Sequence, residues 1–405
     1  MLTLPIYLDY NATTPCDPRV VETMLPYFTN DFGNAASRSH SFGWKAEEAV
    51  SYAREQVAQL IGADTQEIIF TSGATEGDNL ALKGVYELYA GKGNHIITCT
   101  IEHKAVLDTC KHLEKLGAEV TYLNVNKEGL INLEELEAAI KPATILIAIM
   151  YANNEIGVIQ PVKAISRIAR KHSVLFFSDA TQAVGKIPVN VNEDGIDILA
   201  LSAHKIYGPK GVGALYVRRK SPRVRLTAQI DGGGHERGMR SGTLNVPGIV
   251  GLGKACELCI NERQQDAERA KVLRDKLEQA LLALDEVYVN GSKEHRLPQV
   301  TNLSFKYVEG EALMMSFNKD IALSSGSACT SASLEPSYVL KALGLGDDLA
   351  RSSLRFSIGR FTTEEQIDYT IERITKAVAQ LREISPLWEM YKEGTAIDME
   401  SWQHG

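Results

Sequence analysis

The feature of this sequence that most constrains its fold is an alternation that begins near residue 67. A short apolar run is followed by a polar or glycine-containing turn and then by a helical pattern, and this order occurs several times. Apolar runs of strand length that alternate with helical segments are typical of an α/β fold with a largely parallel sheet, whose strands are buried on both faces. The sequence therefore predicts an α/β fold, with strands near residues 68–70, 95–98, 144–150, 174–177 and 196–201.

A polar cluster follows each of these predicted strands, at residues 71–76, 102–103, 153–155, 179–182 and 202–205. Open α/β sheets bind their ligands at the carboxyl ends of their strands. We therefore expect the clusters to meet at one edge of the sheet and to form one site there.

Lys205 directly follows the last of these strands and precedes a Gly-Pro turn. Burial at a strand end favours the neutral amine, which makes this residue a candidate Schiff-base nucleophile. An isolated lysine of this kind is more often a surface residue in a strand-to-loop turn. The assignment therefore depends on what surrounds it.

The small-residue turn at 71–75 opens a helix, so its N–H groups and hydroxyls can receive a phosphate, although an ordinary helix N-cap is the alternative. It lacks the glycine spacing of P-loops and dinucleotide-binding loops, which disfavours a nucleotide. A phosphate site, a lysine and the strand-end acid Asp179 together indicate pyridoxal phosphate, since that cofactor needs an acid beside its pyridine nitrogen.

Gln182 is placed to contact the ring hydroxyl. His103 is placed to stack on the ring and move protons, although a histidine after a strand is more often structural.

Cys329 is the candidate nucleophile among six cysteines. It lies in residues 324–333, a stretch of serine, alanine, threonine and glycine with almost nothing to anchor in a core, so we expect an exposed, mobile loop. An accessible thiol on such a loop suits a nucleophile that collects an atom at one place and delivers it at another. Cys256 and Cys259 fall in a helical pattern without a second pair to complete a zinc site, which favours packing.

Composition excludes several classes of protein. The net charge of -8 argues against nucleic acid as a main partner. The N-terminus has no basic segment before an apolar core, the longest apolar run (near 145–151) is too short to cross a membrane, and the cysteines lack the spacing of a disulfide framework. We therefore expect a cytoplasmic protein with reduced thiols and no membrane contact.

The patterns after residue 262 indicate a second, smaller domain. Amphipathic helices are predicted at 266–284 and from 362 onward, and a strand is predicted at 300–305. The aromatic tail at 388–402 either packs on its own domain or anchors a partner.

Several of these segments carry a resemblance to a known family: residues 71–76 (Thr-Ser-Gly-Ala-Thr-Glu), 102–104 (Glu-His-Lys), 179–182 (Asp-Ala-Thr-Gln) and 202–211 (Ser-Ala-His-Lys-Ile-Tyr-Gly-Pro-Lys-Gly). They resemble the aminotransferase class V family, within pyridoxal-phosphate fold type I. Two further segments are similar to those of the cysteine desulfurases of the housekeeping IscS type: residues 232–243 (Gly-Gly-Gly-His-Glu-Arg-Gly-Met-Arg-Ser-Gly-Thr) and 324–332 (Ser-Ser-Gly-Ser-Ala-Cys-Thr-Ser-Ala). The resemblance runs nearly from end to end.

The resemblance implies a large domain, residues 13–262, with a mainly parallel seven-stranded sheet flanked by helices. It implies a smaller α+β domain, residues 1–12 and 263–405, which carries the mobile Cys329 loop and a C-terminal tail that docks a partner. It also implies a homodimer in which Thr243 enters the neighbouring subunit's site.

The resemblance also implies which residues hold pyridoxal phosphate. Lys205 would form the Schiff base, and Asp179 would pair with the pyridinium. One departure from the family pattern is Ala35, where proline is frequent. The full set implied for the cofactor is Ala74, Thr75, Asn154, Asp179, Gln182, Ser202, His204, Lys205 and Thr243.

The implied reaction removes sulfur from L-cysteine, giving L-alanine and a persulfide on Cys329. Lys205, Cys329 and His103 would be the catalytic residues. Asn34 and Arg355 would bind the substrate carboxylate, for which the planar fork of an arginine allows a bidentate contact.

The persulfide would pass its sulfur to an iron–sulfur scaffold protein and to other acceptors, in tRNA thiolation and cofactor synthesis. No resident metal is expected, and the resemblance allows only a transient contact between a Cys329 persulfide and a nascent cluster. Two alternatives stay open. A different pyridoxal-phosphate enzyme, such as a class V aminotransferase or a selenocysteine lyase, would use Lys205 and Asp179 but not Cys329. A non-enzymatic sulfur-transfer scaffold would explain only the thiol and the tail.

Overall fold

The computed structural model describes residues 2–325 and 335–394. The chain divides into two compact units. The larger consists of Tyr10–Glu268 and Ser292–Pro298, and the smaller of Met1–Asp9, Arg269–Gly291 and Gln299–Gly405, as far as these residues are described. The domain bounds inferred from the sequence stay a prediction.

The strands of the described residues are, in chain order, β1 (Ile6–Tyr7), β2 (Ile68–Thr71), β3 (His95–Cys99), β4 (Glu119–Leu123), β5 (Thr144–Ala148), β6 (Leu175–Asp179), β7 (Ile198–Ser202), β8 (Gly213–Val217), β9 (Val287–Val289), β10 (Val300–Phe305), β11 (Ile321–Ala322), β12 (Ser324–Ser325) and β13 (Ser353–Ser357). The helices are α1 (Pro18–Met24), α2 (Pro26–Thr29), α3 (Ser41–Ile61), α4 (Ala74–Leu88), α5 (Lys104–Lys115), α6 (Leu133–Ala138), α7 (Val162–Lys171), α8 (Val246–Leu282), α9 (Gly310–Phe317), α10 (Tyr338–Ala342), α11 (Asp347–Arg351), α12 (Glu364–Glu383) and α13 (Pro386–Lys392). Each of the five apolar runs of the alternating pattern forms a strand.

The larger unit is built on a seven-stranded sheet with the order β2-β8-β7-β6-β5-β3-β4. The pairs from β7 to β4 are parallel, while β8 runs antiparallel to both of its neighbours, β2 and β7. β2 therefore points the same way as β7, and the carboxyl ends of β2, β7, β6, β5 and β3 lie at one edge. The predicted α/β fold with a mainly parallel sheet is confirmed.

The central strands are apolar because both faces of the sheet are buried. Every residue of β5, β6, β7 and β8 is buried, whereas the edge strand β4 exposes Glu119. Helix α7 presents the complementary stripe, with Val162, Ile165 and Ala169 buried at helical spacing. Each large aliphatic side chain removed from water contributes about 1.5–3 kcal/mol. This core fixes the sheet edge from which the functional loops leave.

The smaller unit contains an antiparallel sheet with the order β12-β13-β10-β9 and a parallel pair of β1 and β11. Helix α12 begins with a capping box, in which the Thr363 hydroxyl accepts a hydrogen bond from the Gln366 N–H and the Gln366 side chain accepts one from the Thr363 N–H. Helix α12 ends at Glu383, and Pro386 begins the separate helix α13, because the first helical position needs no N–H donor.

Helix α8 is one continuous helix of 37 residues, where the sequence suggested separate helical stretches. Cys256 and Cys259 are buried in it, and burial raises the pKa of the Cys256 thiol well above its usual value. Within residues 2–325 and 335–394, no helix combines the length and apolar character needed to cross a bilayer.

Candidate active site

The carboxyl edge of the seven-stranded sheet collects the polar residues that the sequence predicted. β3 is followed by His103, and β5 by the segment that contains Asn154. Asp179 closes β6, and Ser202 closes β7, directly before the turn that contains Lys205. Open α/β sheets bind ligands at such an edge.

Lys205 lies at the end of the short 3-10 turn Ala203–Lys205. Its Nζ donates hydrogen bonds to the carbonyl oxygens of Asn11 and Ala12, at 2.6 Å each. Short hydrogen bonds from an ammonium group to carbonyl oxygens are charge-assisted. The segment that precedes α1 therefore fixes the position of the Lys205 amino group.

Asn11 is a buried residue that sequence reasoning missed. Its carbonyl oxygen also accepts a hydrogen bond from Gln182 Nε2 at 2.9 Å, and its own Nδ2 donates to the carbonyl oxygen of Asn154 at 3.1 Å. Asn11 thus links Lys205, Gln182 and Asn154, which follow three different strands. The signal in the sequence was the segment Asn-Ala-Thr-Thr at residues 11–14, to which the sequence analysis assigned no role.

His204 is anchored by the same N-terminal segment. Its Nδ1 lies 3.1 Å from Thr13 Oγ1, and its carbonyl oxygen accepts hydrogen bonds from the Thr14 N–H and hydroxyl at 2.9 and 3.0 Å. Burial, together with the cations Lys205 and Lys210, lowers the pKa of His204 to about 4. The imidazole is therefore neutral at neutral pH and adds no second positive charge beside Lys205.

Asp78, His103 and Asp179 form a close group. One ring nitrogen or carboxyl oxygen from each lies within 4.8 Å of the others. Asp179 Oδ1 also accepts a hydrogen bond from the Thr181 N–H at 2.9 Å, and His103 Nδ1 accepts one from the Ala105 N–H at 3.2 Å, as the N-cap of α5. The structure therefore brings His103 and Asp179 together and adds Asp78, which the sequence reasoning did not single out.

Two of the acids around Asp179 have raised pKa values. Burial raises the pKa of Glu102 to about 8, and burial with the charges of Asp179 and Glu102 raises the pKa of Asp78 well above its usual value. Glu102 Oε1 accepts hydrogen bonds from the Met150 N–H at 2.6 Å and the Cys99 thiol at 3.1 Å. Raised pKa values favour the protonated forms and thereby reduce the repulsion that three neighbouring carboxylates would create.

The turn between β2 and α4 has the features of an anion site. Its N-cap, Gly73, has a φ of 154° and supplies no side-chain acceptor for the N–H groups of the first turn, which begins with Ala74 and Thr75. N–H groups at the positive end of a 15-residue helix suit a phosphate. A Cβ on Gly73 would lie 3.7 Å from Ser202 Oγ, and a Cβ on Gly213 would lie 2.8 Å from Gly73 Cα. Close backbone packing therefore requires glycine at 213 and brings the Ser202 hydroxyl beside the turn.

An ion pair joins this turn to the glycine-rich segment at 232–243. Arg240 Nε donates to Glu76 Oε1 at 2.8 Å, and Glu76 Oε2 accepts a hydrogen bond from the Ser72 N–H at 2.8 Å. The pair compensates the one acid in the first turn of α4, whose charge would otherwise oppose an anion. Thr243, three residues further along, is exposed on the single chain.

The two candidate carboxylate-binding residues lie in different units. Asn34 is exposed in a loop of the larger unit, where its Oδ1 accepts a hydrogen bond from the Ala36 N–H at 2.9 Å. Arg355 is buried on β13 of the smaller unit, and its Nη2 donates to Asp9 Oδ1 at 2.6 Å and to Ser324 Oγ at 2.9 Å. Local hydrogen bonds thus orient both side chains, and their role stays a prediction. Cys329 lies outside the described residues.

Comparison with known proteins assigns the family. The aminotransferase class-V family model matches residues 6–370. The cysteine desulfurase IscS of Actinobacillus succinogenes is 62% identical over 403 residues, which cover 99% of each chain. A solved NifS-like protein matches with a TM-score of 0.87 and 39% identity over 93% of this chain and 100% of its own. A structure of SspA in complex with cysteine matches with a TM-score of 0.79 and 39% identity over 88% of this chain and 100% of its own. The chain therefore belongs to the aminotransferase class V family and, within it, to the cysteine desulfurases.

Proposed function

We propose that this protein is a pyridoxal-phosphate-dependent cysteine desulfurase, which removes sulfur from L-cysteine, releases L-alanine and carries the sulfur as a persulfide on Cys329. The observation that carries the proposal is the 62% identity over 99% of the chain to a cysteine desulfurase. The related structure that contains cysteine supports the choice of substrate.

The residues at the sheet edge fit pyridoxal phosphate. The N-terminus of α4 lacks a side-chain cap and suits the phosphate, with Ala74, Thr75, Ser202 and His204 as the proposed contacts. Asp179 ends β6 at the same edge of the sheet, beside Asp78 and His103, and supplies the acid that the pyridine nitrogen needs. When bound, the cofactor would supply an electron sink for negative charge on the substrate's α-carbon.

The proposed roles of the chain's own groups follow from their positions. Lys205 would hold the cofactor covalently, and its amino group would move away from the carbonyl oxygens of Asn11 and Ala12 to do so. Asp179 would face the ring nitrogen, with Gln182 and Asn154 holding the ring from the adjacent loops. His103 would stack on the ring and move protons.

The remaining parts concern the substrate and the second subunit. Asn34 and Arg355 would bind the substrate carboxylate, because an amide N–H and a guanidinium fork both donate to it. Thr243 would complete the cofactor site of a partner subunit, which makes the active form a homodimer. The exposure of Thr243 on the single chain is compatible with that role.

Sulfur transfer to Cys329 is balanced without another reactant. The Cys329 thiolate attacks the substrate sulfur, an S–S bond forms, the Cβ–Sγ bond breaks, and Cβ takes a proton to give alanine. L-cysteine and one thiol are thus converted into L-alanine and one persulfide. The persulfide would then donate sulfur to an iron–sulfur scaffold protein and to other acceptors.

We also propose a cytoplasmic location. The five cysteines among the described residues form no disulfide, and reducing compartments keep thiols in that state.

The test is release of alanine and sulfide from L-cysteine in the presence of a thiol reductant. The parent protein should release both in equal amounts, while Lys205→Ala and Cys329→Ser should release neither above background. Cys16→Ser is the matched control, because Cys16 is a partly exposed thiol that has no role in the proposed chemistry. Alanine release by Cys329→Ser at the parent rate would refute the assigned nucleophile. A parent protein that binds pyridoxal phosphate but releases no alanine would refute the proposed reaction.

A further inference from the structure

Asp78 is a buried acid without a hydrogen bond. It lies one turn into α4, its side chain is 0% exposed, and neither carboxyl oxygen has a hydrogen-bond partner in the part of the chain that the structure describes. Leaving a buried polar group unpaired is costly, and native structures rarely do so. The group therefore requires a partner that packing alone does not supply.

Packing gives no reason for an acid at this position. Ala81, Leu82 and Val85, which share a face of α4 with Asp78, are all buried. An apolar side chain at position 78 would continue that stripe. The presence of a carboxyl group there points to a polar function.

Asp179 offers the acceptor. Oxygen atoms of Asp78 and Asp179 lie within 4.8 Å of each other, and the proposed hydrogen bond requires the two carboxyl groups to approach further. Burial and the neighbouring acids raise the pKa of Asp78 well above its usual value, which favours the protonated carboxyl group, whose O–H can donate. Hydrogen bonds from O–H to a carboxylate are short and among the strongest in proteins.

We propose that Asp78 is a positioning residue, whose carboxyl O–H donates a hydrogen bond to the Asp179 carboxylate and holds it toward the ring nitrogen of the cofactor. Asp78 itself touches neither the substrate nor the cofactor in this account. The inference rests on the proposed function, because it assumes that pyridoxal phosphate is the cofactor.

The same group allows two other uses of Asp78. Its O–H could donate to the ring of His103 instead, and the three side chains also include the ligand types that a divalent cation accepts. Asp179 is the better acceptor, because its carboxyl group is buried, whereas His103 is exposed and its Nδ1 already accepts a hydrogen bond from the Ala105 N–H.

The test measures the dissociation constant of pyridoxal phosphate and the absorbance spectrum of the bound cofactor, in full-length protein. Asp78→Ala and Asp78→Leu both remove the hydrogen-bond donor. Alanine truncates the side chain and leucine extends the apolar stripe of α4, so whichever variant folds can be used for the measurement. Asp78→Asn keeps an N–H donor of similar shape. Leu82→Ala is the matched control, since it truncates a fully buried side chain one turn further along the same helix.

We expect Asp78→Ala or Asp78→Leu to weaken cofactor binding by about tenfold to a hundredfold, as the loss of a hydrogen bond to a charged group predicts. The spectrum of the bound cofactor should change with it. Asp78→Asn should stay near the parent in both readouts, and Leu82→Ala should lower the melting temperature without changing the spectrum. In an Asp179→Asn background, removing the Asp78 carboxyl group should weaken cofactor binding little further. In a His103→Ala background, the same removal should weaken cofactor binding as much as it does in the parent.

Parent-like binding and spectrum in Asp78→Ala or Asp78→Leu, in a protein that does release alanine, would overturn this inference alone. So would coupling of Asp78 to His103 instead of Asp179, or binding of Mn²⁺ by the parent that Asp78→Asn abolishes. A parent protein that binds no pyridoxal phosphate would overturn the proposed function and this inference together.

Discussion

The buried ion pair between Arg54 of α3 and Glu236 leads to a quantitative prediction. Arg54 Nη1 and Nη2 donate to the two carboxylate oxygens of Glu236 at 2.7 Å each, and the side chains are only 13% and 2% exposed. Glu236 also accepts a hydrogen bond from the Phe70 N–H, and Arg54 donates one to the Ile68 carbonyl oxygen, each at 2.7 Å. Because Ile68 and Phe70 belong to β2, the pair fixes the strand that leads into the proposed phosphate turn.

The substitution Arg54→Met removes the positive charge of the guanidinium group and keeps most of the apolar side chain. Methionine keeps an apolar stem near the Phe70 ring, over which the guanidinium carbon lies 4.5 Å from the centroid. Removing one partner of a buried pair costs about 3–5 kcal/mol, because the other charge stays buried without compensation. The matched control is Lys45→Met: Lys45 lies 3.0 Å from Asp31, the two side chains are 63% and 32% exposed, and such a pair contributes about 0–1 kcal/mol.

The assay is urea unfolding of cofactor-loaded protein at one protein concentration, since both the ligand and the subunit concentration shift apparent stability. Arg54→Met should lose about 3–5 kcal/mol and Lys45→Met at most about 1 kcal/mol. The double variant Arg54→Met/Glu236→Gln should be more stable than Arg54→Met alone, because it leaves no uncompensated charge. Equal losses in Arg54→Met and Lys45→Met would refute the reasoning, as would a double variant no more stable than Arg54→Met.

Three further predictions follow from single contacts. Burial raises the pKa of Glu102 from 4.5 to about 8, so between these pH values the folded protein holds a proton that the unfolded chain has lost, and its stability should fall as the pH rises. The variant Glu102→Gln should flatten the slope of the urea midpoint against pH. An unchanged slope would contradict the raised pKa of Glu102. Arg355→Lys should lower kcat/KM for L-cysteine by about tenfold or more and leave cofactor affinity unchanged, because lysine cannot reproduce a bidentate contact with a carboxylate. An unchanged kcat/KM would show that Arg355 does not bind the substrate. Thr363→Ala should cost about 1 kcal/mol in urea unfolding by removing the capping box of α12, whereas full stability would show that the box contributes nothing.

The sheet and its functional edge could be predicted because their signals are local. A strand buried on both faces is a short apolar run, and the polar residue that ends it follows directly in the sequence, as Asp179 does. The antiparallel direction of β8 could also have been predicted from the sequence. Only residues 203–212 separate it from β7, which is too short for a helical crossover and requires an antiparallel return.

Residues that reach the site from elsewhere in the chain gave no comparable signal. Asn11 contacts Lys205 across 194 positions, so its role depends on where the N-terminal segment packs. Asp78 lies inside a helix, where an acid is ordinarily a solvated residue. The only indication in the sequence of a special role was the position of Asp78 on the apolar stripe of α4. Its role can be inferred only from the structure, which places it near Asp179.

The central claim is that Cys329 takes sulfur from L-cysteine. Mass spectrometry of the protein after one turnover, without a reductant, tests it most directly. We expect the peptide that contains Cys329 to gain one sulfur atom for each L-alanine released, and both products to be missing in Lys205→Ala. Alanine release without added sulfur on that peptide, or with the sulfur on another cysteine such as Cys16, would contradict the account.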